Sequence, residues 1–198
     1  MVVNHWVVIN RDVIARDNVL LPLPEHHTPE QVYTALECSY PKFYKMDKLC
    51  KWTLVAAEYL FAKNDLLYHE IDKNKIAVAL ATSHGCIDVD KRYFDGIAVP
   101  SPALFVYTLP NIMLGEISIR HGFKGEQLCM VSEAFDSEEL YFSVHRFLDQ
   151  GGMDACLCGW ADAADDAYDL YLLWVTKHGE GLNFTPAMLR ELYQQGHK

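Results

Sequence analysis

Residues 118–163 read SIRHGFKGEQLCMVSEAFDSEELYFSVHRFLDQGGMDACLCGWADA. The stretch changes its period three times. A helix ends at Gly122 and Gly125, where the chain turns. Residues 127–132 form an apolar run that reads as a strand. From about Ser137 to Gln150 the apolar residues return at helical spacing, Gly151-Gly152 breaks the run, and residues 154–159 read as another strand. Helix, strand, helix and strand in alternation predict an α/β domain with a largely parallel sheet.

The pattern continues on both sides. Residues 75–82 (KIAVALAT) form a short continuous apolar run, as a buried strand does, and Ser83-His84-Gly85 ends it. Residues 44–62 carry apolar side chains at helical spacing. Residues 2–9 and 18–21 read as strands. Residues 22–29, with three prolines and with His26 and His27, read as a loop leading to a helix capped by Thr28 with Pro29 behind it. Residues 99–103 read as a stiff loop, and Thr108 as the cap of the helix that runs to about Arg120. Downstream, a helix is expected from Ala163 to about Lys177 and a second from Thr185-Pro186. No linker, repeat or low-complexity segment divides the 198 residues, so one domain is expected.

Composition narrows the function. Hydrophobic residues are 51% and charged residues 22%, as in an ordinary globular chain. The net charge of −10 argues against a dedicated nucleic-acid or anionic-membrane binder, which needs a basic surface. No apolar run reaches the ~18 residues of a membrane span, and the N-terminal residues lack the basic start and cleavage site of a signal peptide. Six cysteines, three of them in strand-like runs, fit reduced thiols in a cytoplasmic protein. No cofactor motif is present. Cys156 and Cys158 lack a second pair at zinc spacing, and no metal site is expected.

Several blocks resemble one family. Residues 118–125 resemble the Ser-Ile-x-x-Gly-Leu-Lys-Gly-Pro segment of β-ketoacyl-acyl-carrier-protein synthases. Pro110-Asn111-Ile-Met113 resembles their Pro-Asn-Met helix start, and Tyr44-Lys45-Met46-Asp47 their Arg-Lys-Met-Asp helix. Ala81-Thr-Ser-His-Gly85 sits where they carry a glycine turn. Residues 151–163 resemble Gly-Asp-Ala-Asp-Val-x-x-x-Gly-Gly-x-Glu-Ala. The likeness covers roughly residues 1–163. It implies a three-layer α-β-α architecture, the N-terminal half of the thiolase-like fold, with residues 164–198 as a C-terminal helical extension packed on the same domain. A complete synthase is about twice as long, so the expectation is a chain adapted to life without the second half.

The same register implies a lost nucleophile. The family carries a cysteine in Thr-Ala-Cys-Ala-Ser, on a turn at a helix N-terminus that favours a thiolate. Here the matching residues are Ser132-Glu133-Ala134-Phe135-Asp136, and Ala134 occupies the nucleophile position. The family's catalytic histidines belong to the half that this sequence lacks. This resembles the chain-length factors of polyketide systems, non-catalytic partners of an active synthase. In the family, the strand before the turn pairs with its own copy. The corresponding residues are Gln127, Leu128, Cys129, Met130, Val131 and Ser132, which implies a homodimer or a heterodimer with a ketosynthase. The synthase helix matching Lys45 helps to dock an acyl carrier protein, and Lys42, Lys45, Lys48 and Lys51 recur every three residues as a basic stripe. The stripe reads first as a solvated face, with docking as the alternative.

Other readings stay open. Ser132 and His84 are the candidates for a small acyl-thioester hydrolase or transferase in a relict pocket, and a stand-alone structural or ligand-binding protein is a third possibility. His84 also reads as a turn residue. Asp162, Asp165, Asp166 and Asp169 read as acidic residues near a helix start rather than as a metal cluster. The helix at 137–150 reads as one-faced, with Leu140, Val144 and Leu148 inward and Glu138, Glu139 and Arg146 outward. That face meets either solvent or a partner, with Phe142 as the anchor in the second case. The function expected is that of a non-catalytic synthase-like protein in fatty acyl, polyketide or aryl-polyene-type chain assembly.

Overall fold

The computed structural model describes residues 1–22, 27–61 and 68–197. His26, part of the expected proline-rich loop, lies outside the described residues.

The centre of the protein is a mixed sheet. Its path runs β3 (Val19–Leu20), β2 (Ile14–Arg16), β1 (Val2–Ile9), β7 (Ala167–Thr176), β6 (Ala155–Ala164), β4 (Ile76–Thr82) and β5 (Gln127–Val131), and β8 (Leu182–Asn183) joins β1 off this path. β4 runs parallel to both β5 and β6. β7 is antiparallel to its neighbours β6 and β1. β5 closes one edge with a single partner strand. Asp17 and Asn18 turn the β2–β3 hairpin with positive φ, the conformation in which such short polar side chains are tolerated.

Two helical layers cover the sheet. On one face lie α1 (Pro29–Ala35), α2 (Lys48–Leu60), α3 (Ile87–Asp95) and α5 (Ile112–His121), packed on Ile76, Val78, Leu80, Leu157, Leu172 and Trp174. α2 is buried on nearly every side. Its first turn is capped by Asp47, whose carboxylate accepts from the amides of Leu49 (3.0 Å) and Cys50 (3.3 Å). On the other face α6 (Ser137–His145), the turn Arg146–Gln150 after it and α7 (Pro186–Gln195) bury Leu140, Val144, Leu148, Leu189 and Leu192 against Ala77, Ala79, Cys156, Cys158 and Tyr171. This is the three-layer α/β architecture that the sequence implied.

Several expectations are met locally. Thr28 and Gln31 form a capping box with Pro29 in the first turn of α1. Gly122 ends α5 at φ 75°. Others are corrected. The single helix expected over 44–62 is two elements: a 3-10 turn, Pro41–Lys45, which ends at the extended Met46, and then α2, which Asp47 caps. Thr108 does not cap α5. Its hydroxyl donates to the carbonyl of Phe105 (2.8 Å), a short helix α4 (Pro102–Val106) comes first with Ser101 as its cap, and Asn111 precedes α5. The helix from Ser137 finishes in one π turn, Arg146–Gln150.

The largest correction concerns the tail. Residues 167–176 form β7, a strand in the middle of the sheet, where a helix was expected. Both of its faces are buried, with Leu172 and Trp174 on one side and Tyr171, Leu173 and Val175 on the other. The boundary at residue 163 falls inside β6, which runs to Ala164 and pairs with β7 along its length. The second helix stands as α7, with Thr185 as its cap and Pro186 behind. Gly159 lets the hairpin close: at φ 145° it presses against β7, where a Cβ would overlap the Tyr171 carbonyl oxygen.

Candidate functional site

The C-terminal ends of the parallel strands β4, β5 and β6 meet at one rim, the place where open α/β sheets bind ligands. Three turns form it. Residues 83–85 follow β4, residues 132–136 follow β5, and the β6–β7 hairpin turns at Asp165, which has φ 49°.

The turn after β5 carries Ala134, which is exposed. The Ser132 hydroxyl donates to the Ala134 carbonyl (3.0 Å), and the Ser132 amide donates to the Thr82 carbonyl (3.1 Å). Phe135 turns inward, its ring 4.5 Å from that of Tyr193 and 5.4 Å from that of Tyr171. Asp136 caps α6, accepting from the amides of Glu138 (2.8 Å) and Glu139 (3.1 Å). A helix N-terminus that could favour an anion is thus occupied by its own carboxylates, with Glu133, Glu138 and Glu139 exposed around it.

The turn after β4 is organised by Asp162 of β6. Its Oδ1 accepts from the Thr82 hydroxyl (2.8 Å) and from the amides of Ser83 (3.0 Å) and His84 (2.8 Å), and its Oδ2 lies 2.6 Å from His84 Nδ1. Burial pushes the Asp162 carboxyl up. The bonds from the His84 amide and ring and from the Thr82 hydroxyl outweigh that and hold it below the usual carboxylate range. His84 is therefore a turn residue held by a carboxylate, and it lines a cleft of 430 Å³ with Ile87, Lys91 and the β6–β7 turn. Among the described residues no hydrogen bond joins His84 to Ser132.

The four aspartates expected near a helix start lie on the β6–β7 hairpin instead, and three of them serve separate partners. Asp162 holds the β4 turn. The Asp165 amide donates to the Asp88 carboxylate (3.1 Å), and Asp169 accepts from the Tyr193 hydroxyl (2.5 Å) and lies 2.9 Å from His197 Nε2. Among the described residues no three metal-binding side chains converge. Nothing in the residue pattern around Asp162 marks it as a hub, because its partners come from β4, about eighty residues earlier.

The basic stripe is dispersed. Lys42 and Lys45 lie on the 3-10 turn, Lys48 and Lys51 on α2. Lys42 is 2.8 Å from the buried carboxylate of Glu116, Lys51 is 2.7 Å from Glu30, and Lys48 is 3.6 Å from Asp88 and also bonds the Asp165 carbonyl. Lys45 alone of the four has no acidic partner among the described residues. Lys48, Lys51, Lys91 and Arg92 line a cleft of 690 Å³ floored by Trp52 and Tyr168, whose rings stack at 4.1 Å.

On β5, Gln127 and Val131 are exposed, Leu128 and Cys129 half-buried and Met130 buried. Burial raises the Cys129 thiol. All six cysteines are free. The outer face of α6 is exposed at Glu138, Glu139, Phe142 and Arg146.

An α/β domain of this topology has a thiolase-like fold. The chain belongs to the β-ketoacyl synthase N-terminal domain family, whose pattern matches residues 34–171. Comparison with curated proteins finds no match. Among solved structures, the ishigamide ketosynthase/chain length factor superposes with a TM-score of 0.65 at 13% identity, over 89% of this chain and 62% of that one. A type II polyketide acyl-carrier protein in complex with its ketosynthase, bound to the hexaketide, gives a TM-score of 0.61 at 13% identity over the same shares. The ketosynthase ApeO in complex with its chain length factor ApeC, from Xenorhabdus doucetiae, gives 0.61 at 14% identity over 99% of this chain and 92% of that one. The chain thus spans 62% of the length of the first two solved chains it matches.

Proposed function

We propose that this protein is a non-catalytic, chain-length-factor-like subunit in fatty acyl, polyketide or aryl-polyene-type chain assembly in the cytoplasm, pairing with a ketosynthase or an acyl carrier protein. The observation that carries the reading is the turn at Ala134. A methyl group stands at the nucleophile position, and the helix N-terminus beside it is taken up by Asp136, with Glu138 and Glu139 in its first turn. No thioester can be attacked from that atom.

The length of the match to the ApeO–ApeC structure supports the same reading. A synthase-like polypeptide only slightly longer than this one is part of a solved ketosynthase–chain length factor complex. Among the described residues no helix is long and apolar enough to cross a membrane. β5, an edge strand with exposed Val131, is the pairing strand in this proposal. Lys45 is the lysine available for a carrier protein, since Lys42, Lys48 and Lys51 are already paired.

The test is purification of the tagged protein from its native host at endogenous level. Co-purification of a full-length ketosynthase or acyl carrier protein, weakened by Lys45→Glu or by Met130→Arg, is the expected result. A homodimer with neither companion would overturn the proposal. The competing reading, an acyl-thioester hydrolase or transferase, draws on the 2.6 Å His84–Asp162 pair. It requires steady thioester turnover by the pure protein that is lost in His84→Ala and Ser132→Ala.

A further inference from the structure

The cleft of 690 Å³ lies between the starts of α1 and α2, one side of α3 and the tip of the β6–β7 hairpin. Its volume is within the range of small-molecule sites, about 300–1,000 Å³. Neither Ala134 nor Ser132 lines it.

The floor is apolar and fixed by packing. Trp52 is buried and stacks on the half-buried Tyr168 at 4.1 Å and 17°. The His27 ring stands edge-on to both, at 6.1 and 6.0 Å, and Met46 and Val89 are buried beside them. Tyr168 is the ring of the stacked pair that remains partly open, so a flat apolar body has an aromatic surface to lie against.

The walls are charged, and their charges are matched with two exceptions. Lys51 lies 2.7 Å from Glu30, Lys48 3.6 Å from Asp88 and Lys91 3.4 Å from Asp165. Asp47 caps α2. Arg92 and Asp166 remain. Both are exposed and both line the cleft, and among the described residues neither side chain has a hydrogen bond or an ion pair.

The two come from different elements. Both oxygens of Asp88 accept the Asp165 amide, at 3.2 and 3.1 Å, which ties α3 to the hairpin tip. Arg92 follows Asp88 by about one helical turn, and Asp166 follows Asp165 directly. The tie therefore brings a free cation and a free anion to the same cleft, and no ion pair joins them. A ligand with one charge would answer one of them and leave the other unmatched. A ligand with a carboxylate and an ammonium answers both. The guanidinium donates two parallel N–H···O bonds to the carboxylate, and the Asp166 carboxylate accepts from the ammonium.

We infer that this cleft binds a small zwitterion with a flat apolar body, the class of the aromatic amino acids, with its charged end on Arg92 and Asp166 and its ring on Tyr168. The site goes beyond the proposed function and does not depend on pairing with a ketosynthase.

The experiment is calorimetric titration of the purified full chain with L-phenylalanine. Hydrocinnamate, which lacks the ammonium, and phenethylamine, which lacks the carboxylate, are the single-charge probes. L-phenylalanine is expected to bind once per chain with a Kd at or below about 1 mM, and each single-charge probe at least about fivefold more weakly. Arg92→Gln should weaken L-phenylalanine at least about fivefold and leave phenethylamine unchanged, and Asp166→Asn should weaken it as much and leave hydrocinnamate unchanged. Both side chains are exposed, so the circular dichroism and Tm of these variants should match the wild type. Tyr168→Leu should weaken all three probes. No binding of L-phenylalanine or L-tryptophan at about 10 mM overturns the inference. A single-charge probe that binds within about twofold of L-phenylalanine overturns it too, as do two charge variants that both bind L-phenylalanine within about twofold of the wild type.

Discussion

Replacing Asp162 with alanine removes the acceptor that holds the turn after β4. Four groups lose it: the Thr82 hydroxyl, the amides of Ser83 and His84, and the His84 ring. They do not lose equally. Thr82 is fully buried, so its hydroxyl is left without an acceptor, at about 1–3 kcal/mol. The Ser83 and His84 groups lie nearer the surface and exchange the carboxylate for water, at about 0.5 kcal/mol each. The total is about 3 kcal/mol, which in a chain of this size lowers Tm by roughly 6–12 °C. Asp162→Asn keeps an acceptor oxygen for Thr82 and the two amides and should cost about half as much. His84→Ala removes one exposed partner and should cost under about 1 kcal/mol. Urea titration of the three variants gives the order directly. A loss below about 1 kcal/mol in Asp162→Ala, or an asparagine variant as weak as the alanine one, would refute the assignment of Asp162 as the organiser of the rim.

Ala134→Cys places a thiol on the turn among Glu133, Asp136, Glu138 and Glu139. Its iodoacetamide reactivity should rise with a midpoint at or above the ordinary thiol value of about 8.5, whereas a midpoint below about 7.5 would mean that the helix N-terminus still favours an anion. Gly159→Ala should fail to give soluble folded protein, because the added methyl meets the Tyr171 carbonyl in a backbone conformation alanine rarely adopts; a soluble variant with wild-type Tm would contradict the close β6–β7 approach. His121 bears on pH. Burial, with lesser contributions from Arg120 and Lys73 against Glu58, lowers its pKa from 6.5 to about 4. A depressed folded value means that its contribution is complete above pH 6.5 and disappears as pH falls from 6.5 to about 4, because the unfolded chain takes up the proton first. Stability measured between pH 7 and 4 should fall with that slope, and His121→Phe should flatten it.

How far the sequence showed all this depends on the kind of contact. β4, β5, α6 and α7 follow from local patterns: a short apolar run, glycines at turns, and Thr-Pro or Asp-Ser starts. β7 does not. Leu170, Tyr171, Leu172, Leu173, Trp174 and Val175 are apolar on both faces because helices cover both sides of the sheet at that point, so no alternation remains to separate strand from helix. Ala163 to Ala167, read as a helix start, is a hairpin turn that depends on Asp165 adopting positive φ and on Asp88 receiving its amide, a residue far away in sequence. The same limit hid Asp162. The turn after β5 was legible, since the apolar run ends at Ser132 and Asp136-Ser137 opens a helix. The lysine stripe was legible as spacing only, and the carboxylates of Glu116, Glu30 and Asp88 that take up three of its members come from other elements.

The strand order has a consequence for synthesis. β1 is made first, yet its long partner is β7, with residues 2–9 set against residues 170–176. β6 and β7 together separate β1 from β4. Once the first 150 residues have left the ribosome, two disconnected pieces of sheet are out, the β1–β2–β3 hairpins and the β4–β5 pair, with the strands that weld them still inside the tunnel. Both pieces carry apolar faces that nothing yet covers. Cooperative structure must wait for the β6–β7 hairpin, so the nascent chain depends on late, long-range pairing and on protection from aggregation until it emerges.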